Sequence, residues 1–259
     1  MNDGSGQSPR GLSGAWSGDI LVFAGPTRPL TTAAPDLVWL PPAAAGDMLM
    51  ASRRAPCTMV LIDGLMETRM PPLHKEILVL LAEGFRVIGA ASMGALRAAE
   101  LSSHGMIGAG EIFTAFRRGL LVDDDEVAVL HAPSEMGWRP LTEAMVDIRA
   151  TLCAAVRARI IPLGTAHLLR RTAIADNFRD RSWQRLLDMP GLEAIERQRL
   201  LSWLPAGRVA LKQCDANAAI VLARALSASP APRLPAPPET SFLQRLRLFA
   251  GQNVNPTSV

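Results

Sequence analysis

Four short β-type runs, three of them continuously apolar and each closed by turn-forming residues, constrain this chain more than any other feature. Ile20 to Ala24 stops at Gly25-Pro26-Thr27, Leu37 to Leu40 at Pro41-Pro42, Met59 to Ile62 at Asp63-Gly64, and Phe85 to Gly89 at Ala90-Ala91-Ser92. Runs that are apolar at every position belong to strands buried on both faces, as in parallel sheets covered by helices. Between the third and fourth runs, His74 to Glu83 has a helical pattern opened by Pro71-Pro72 and closed by Gly84. The order is β-α-β, so the expected fold class is α/β: a central, mainly parallel sheet with flanking helices, followed by a helical C-terminal region. Such sheets gather functional groups at the carboxyl ends of their strands, where Gly25, Thr27, Asp63, Gly64 and Ser92 all fall.

Beyond Met93 the pattern is helical over Ala95 to Leu101 and Glu111 to Arg118. The acidic run Asp123-Asp124-Asp125-Glu126 reads as a solvated turn, because consecutive carboxylates alone do not encircle an ion. Further helices are expected over about 141–160, 165–176, 183–187, 193–204 and 217–226. Ser227 to Pro238 holds five prolines and reads as an extended linker. It leads to a short amphipathic segment with Phe242, Leu243, Leu246 and Phe249 on one face. The expected organisation is a flexible tail over 1–18, an α/β core over 19–152, a helical region over 153–226, and the linker with its amphipathic segment over 227–259.

Composition removes several classes. With 49% hydrophobic and 20% charged residues, the 259-residue chain is not wholly disordered, and no stretch approaches the roughly 18 to 20 apolar residues that span a bilayer. The first residues lack the apolar core of a secretory signal, so a cytoplasmic protein without a membrane partner is expected. Cys57, Cys153 and Cys214 are widely spaced and read as small buried hydrophobes, with no metal site among them. Residues 131–259 carry 17 basic and 10 acidic side chains. Arginines there sit beside acids (Arg179, Asp180, Arg181), a pattern of solvated helix faces that argues against nucleic acid. Of 27 basic residues only Lys75 and Lys212 are lysine.

Ser92 is the leading candidate for chemistry. It lies where an apolar strand turns directly into a helix rich in small residues, with Ala90, Ala91 and Gly94 around it. That is the logic of a nucleophile elbow: the tight turn exposes the hydroxyl, and N–H groups at the helix start, here Met93 and Gly94, can hold an oxyanion. The match to the elbow is partial, A-x-S-x-G, and taken by itself it favours an ordinary serine cap on a close-packed helix. The hydroxyl needs a base. Lys75 can serve if neutral, which requires its pKa to fall by roughly three from about 10.4, and its setting before Ile77-Leu78-Val79-Leu80-Leu81 is apolar. A snorkelling lysine paired with Glu76 is the alternative. Gly89 to Gly94 completes neither G-x-G-x-x-G nor a P-loop.

Six ordered blocks carry a family resemblance: Leu40 to Ala44, Ile62-Asp63-Gly64, His74 to Leu78, Gly89 to Leu101, Asp123 to Val129, and Glu143 to Leu152. Together they resemble the TfuA-like proteins over about Asp19 to Leu152. The resemblance implies a hydrolase-like core working beside a YcaO-type ATP-dependent enzyme that converts peptide amides to thioamides. It implies hydrolysis of the C-terminal thiocarboxylate of a ubiquitin-like sulfur carrier protein, supply of sulfide to that enzyme, and help in engaging the precursor peptide. It further implies a Ser-Lys pair falling on Ser92 and Lys75. Gly25, Thr27, Asp63, Gly64, His74 and Arg97 are expected to line the site, and no cofactor is expected.

Overall fold

Each apolar run forms a strand: β1 (Ile20–Phe23), β2 (Leu37–Leu40), β3 (Thr58–Leu61) and β4 (Arg86–Ala90), joined by a short fifth, β5 (Ile107–Ala109). The computed structural model describes residues 20–29, 35–52, 57–66 and 69–252. The expected tail over 1–18 lies outside them, as does the Phe249 side chain. All strand pairs are parallel, in the order β2-β1-β3-β4-β5. Phe23 pairs with Leu61 and Leu61 with Gly89, so β1, β3 and β4 end level and their following loops emerge at one edge. Strand order reverses between β1 and β3, the place where sheets of this kind open a crevice.

Strand pleating sends alternate residues to opposite faces. Leu21, Phe23, Met59, Leu61 and Val87 point to one face, with helices α1 (Asp47–Ala51), α2 (His74–Ala82), α3 (Met93–Leu101) and α4 (Gly110–Arg117). Ile20, Val22, Val60, Ile62 and Ile88 point to the other. Between these and the C-terminal half come α5 (Met145–Arg157), α6 (Leu163–Ala175), α7 (Trp183–Leu187) and α8 (Ala194–Gly207), which bury their own cluster around Ile148, Leu169, Leu186 and Leu200. The second sheet face is covered by α9 (Leu211–Ser227), through Ala216, Ala219, Ile220 and Ala223. Those small residues let the helix lie close to the strands.

Helix α9 starts six residues before the expected 217, and that extra turn and a half includes Lys212 and Asp215. The Asp215 carboxylate accepts from the Glu111 and Ile112 N–H groups at the start of α4 (3.0 and 2.8 Å). At the other end, Arg86 donates to the carbonyls of Leu226 (2.5 Å) and Ser229 (3.0 Å). The first turn of α9 therefore lies at the carboxyl edge of the sheet and its last turn at the amino edge. The Pro-rich segment leads from there to α10 (Ser241–Gln252), which returns to the first face: Leu243 is 0% exposed and Leu246 is buried beside α1 and α2.

Three expectations are corrected by burial. Cys153 and Cys214 are exposed, because each lies on the outer side of its helix. Arg181 is fully buried. The acidic run is no mere solvated turn, since Asp125 pairs with Arg181 (2.9 Å) and the buried Glu126 accepts from Arg149 Nε at 2.9 Å. None of the described helices is long and apolar enough to cross a membrane.

Candidate active site at the carboxyl edge of the sheet

Ser92 stands between the last residue of β4 and the first of α3, and the backbone there is forced. The Ser92 N–H donates to the Ala90 carbonyl at 2.7 Å across Ala91, whose φ is 66°. A three-residue turn with a positive φ on a residue bearing a Cβ is strained, and such strain concentrates where the surrounding fold over-determines it. The over-determination here comes from glycine. A Cβ on Gly94 would sit 1.7 Å from the Leu61 carbonyl oxygen, and one on Gly89 would sit 2.1 Å from the Gly94 oxygen. Only bare Cα atoms let α3 approach β3 and β4 this closely. The Gly94 N–H is spent on that contact, donating to the Ile62 carbonyl at 3.1 Å. This corrects the expectation that Gly94 is an oxyanion donor. The Met93 N–H, first in the helix and without an intrahelical acceptor, is the amide left to that role.

Ser92 is 8% exposed and its side chain does not cap the helix. Its hydroxyl makes one long contact, 3.5 Å to the Val127 carbonyl. It faces a cavity of about 260 Å³ bounded by Pro26, Pro42, Gly64, Met66, His131 and Phe178. Asp63 also touches that cavity, but its carboxylate is saturated: it accepts from the Gly25 N–H (2.8 Å), the Thr27 N–H (2.9 Å) and the Thr27 hydroxyl (2.6 Å). Asp63, Gly25 and Thr27 thus tie the end of β3 to the loop after β1 and shape the wall.

The structure does not bring Lys75 to Ser92. Lys75 Nζ donates to Thr240 Oγ1 at 3.0 Å, toward α10, and is absent from the cavity lining. The cause is helical phase: the first turn of α2 turns Glu76 inward and His74 and Lys75 away. Glu76 Oε1 accepts from the Leu73 N–H and Oε2 from the Gly46 N–H, and burial pushes its carboxyl up to about 7. His74 pairs with Glu100 (2.8 Å), and Arg97 holds Glu100 (2.7 Å) and the Pro72 carbonyl (2.8 Å). His74 and Arg97 therefore fasten α2 to α3 beside the site instead of lining it.

Lys212, given no place in the site from sequence, is also absent from the lining of the Ser92 cavity and lines the neighbouring one, but it reaches the same carbonyl. From the first turn of α9 its Nζ donates to the same Val127 carbonyl, at 2.8 Å, and the side chain is 4% exposed. Burial lowers its pKa, against the pull of Asp63 and Asp147. The scarcity of lysine was the one available signal. His131 also lines the cavity and went unassigned; its Nδ1 lies 2.9 Å from the Ala132 carbonyl. Among the described residues no group of three or more His, Cys, Asp or Glu is placed to hold a metal ion.

The comparisons bear on this edge of the sheet. Residues 63–182 match the model of a family described as TfuA-like protein. The matched span starts at Asp63, later than the resemblance read over 19–152, and runs on to Ser182; it includes Asp63, Ser92 and Val127 and leaves out Gly25, Thr27 and Lys212. No curated protein matches the chain.

Proposed function

Taking the chain as the TfuA-like protein that residues 63–182 match, we propose that it is an accessory of peptide backbone thioamidation which hydrolyses the C-terminal thiocarboxylate of a ubiquitin-like sulfur carrier. The released sulfide goes to a YcaO-type enzyme, which the protein also helps to engage the precursor peptide. The observation that carries this reading is Ser92: a hydroxyl held on a strained strand-to-helix turn, uncommitted to capping, and facing a cavity. A cavity of this size admits the slender end of a chain and excludes a folded surface.

In this reading Ser92 Oγ attacks the thiocarboxylate carbon. The developing oxyanion faces the Met93 N–H and the positive end of α3, both in place before reaction. Sulfur departs, an ester to Ser92 remains, and water hydrolyses it to leave a carboxylate on the carrier. Water is the only co-reactant.

The test uses the full chain and a thiocarboxylated carrier, with sulfide and the carrier's mass both measured. Ser92→Ala should fold and release no sulfide, while the unmodified protein carries the carrier transiently as an ester. Sulfide release by Ser92→Ala at the unmodified rate would leave an adaptor that docks on the YcaO-type enzyme as the better account.

A further inference from the structure

A stretch of main chain beside Ser92 is hydrogen-bonded along one side only. The consecutive residues Val127 to His131 all line the serine's cavity, and they lead into one arm of a hairpin in which His131 bridges antiparallel to Pro140. The Leu130 N–H donates to Thr142 Oγ1 (2.8 Å), the Leu130 carbonyl accepts from the Leu141 N–H (2.8 Å), and the Ala132 N–H donates to the Arg139 carbonyl (2.8 Å). Both main-chain groups of Leu130 therefore face the other arm. In a paired arm the groups of alternate residues face opposite ways, so those of Val129 and His131 point outward, to the unpaired side. Among the described residues, the N–H and C=O groups of Val129 and His131 have no hydrogen-bond partner. Such groups are obligatory donors and acceptors, and folded proteins seldom leave a strand edge open.

The arm is fixed at both ends. Lys212 Nζ holds the Val127 carbonyl at 2.8 Å, and the Ala128 N–H donates to the Asp125 carbonyl at 3.3 Å. At the far end Trp138, whose φ is 59°, sets its indole edge-on to the His131 ring, with centroids 5.3 Å apart. That indole also abuts Gly25, where a Cβ would come within 3.3 Å of Trp138 Cγ, so the hairpin is propped on the end of β1. An edge held in place beforehand spares a ligand the cost of ordering it.

We propose that the open edge of Val129 and His131 seats the carrier's C-terminal tail, which adds to it as an extended strand. The inference rests on Ser92 being the nucleophile for the thiocarboxylate. Direction follows from the geometry: Ser92 Oγ lies 3.5 Å from the Val127 carbonyl, so the reacting carbon belongs at the Val127 end and the tail enters past His131. The tail then runs antiparallel to the arm, and opposed residues exchange both hydrogen bonds at every second position. With the last residue of the tail opposite Val127, the third from its end meets Val129 and the fifth meets His131. These bonds are main chain to main chain, so they set the register of the tail whatever its side chains, and the register delivers the terminal carbon to the hydroxyl.

The experiment uses the full chain and semisynthetic carriers in which one tail amide is N-methylated, at the third or at the fourth residue from the end. The N–H of the fourth residue faces away from the arm, so its methylation is the control. Two quantities are measured: kcat/KM for sulfide release from the thiocarboxylated carriers, and affinity for the same carriers ending in an ordinary carboxylate. Methylation at the third residue should lower both by about 10-fold, and at the fourth should change both by less than about 2-fold. Val129→Pro, which deletes one donor of the edge, should lower kcat/KM for the unmethylated carrier by about 5-fold. In that variant methylation at the third residue should cost less than it does in the unmodified protein, because both changes strike one pair of bonds. Equal effects at the two tail positions, no effect at either, a larger effect at the fourth, or full kcat/KM in a folded Val129→Pro would overturn the strand addition and leave Ser92 as nucleophile. Should Val129→Pro fail to fold, the methylated carriers decide by themselves, since they leave the protein untouched. An active Ser92→Ala would instead remove the serine reading, and the affinities, which need no hydrolysis, would then decide the edge alone.

Discussion

Glu76 gives the fold a pH dependence that a single residue can be asked to explain. Its carboxyl, fully buried and bonded to the Leu73 and Gly46 N–H groups, is raised from 4.5 to about 7, chiefly by burial. The folded state therefore keeps a proton that the unfolded chain gives up near 4.5. The stabilisation this confers is fully present below that value and is lost as pH climbs toward 7, at most about 3 kcal/mol. Asp47, Glu143, Asp147 and Asp215 are raised by burial as well and act in the same sense. Melting temperatures at about pH 5 and about pH 7.5 should fall more for the unmodified protein than for Glu76→Gln. Arg181 offers a second test. Its guanidinium, 0% exposed, donates to Asp125 and to the Ala173, Asp125 and Asp176 carbonyls, so it anchors the turn that delivers Val127. Arg181→Met leaves Asp125 and three carbonyls unpartnered and should cost about 3 kcal/mol in denaturant unfolding. At this scale Ser92 was legible, because a strand, a small-residue turn and a helix adjoin it in sequence. Lys212 was not, because its meaning lies in a contact 85 residues away.

Among elements, α10 shows how an amphipathic segment finds its partner. Its apolar face suits an external protein or the domain's own core, and the structure seats it on the core, with Leu243 among the α1 and α2 side chains and Thr240 accepting from Lys75. Leu243→Ala should therefore destabilise by about 2–4 kcal/mol. Deleting the residues after Ser227 should lower the melting temperature while leaving affinity for a YcaO-type enzyme unchanged. The four longer strands were readable as apolar runs, the fourth carrying Arg86 at its start. Strand β5, three residues with a central glycine, carries too little pattern to announce itself. The first turn of α9 escaped for a different reason: Lys212, Gln213 and Asp215 look like a polar loop, and only the buried roles of Lys212 and Asp215 make them helical.

For the whole molecule, the sheet is sealed by segments distant in sequence. The family-matched residues 63–182 hold β4, β5 and α2 to α6, but β1, β2, β3 and the covering helix α9 lie outside them. Expressed alone, that fragment should expose the face formed by Ile88 and Ala90 and aggregate, whereas residues 20–252 should melt cooperatively in calorimetry. The meeting of Ser92 and Lys212 depends on this closure, and it occurs at the carbonyl oxygen of Val127, an atom every amino acid possesses. No substitution at position 127 can delete it. Descent can therefore alter that side chain without severing the link between the two halves, and the link leaves no pair of side chains that must change together.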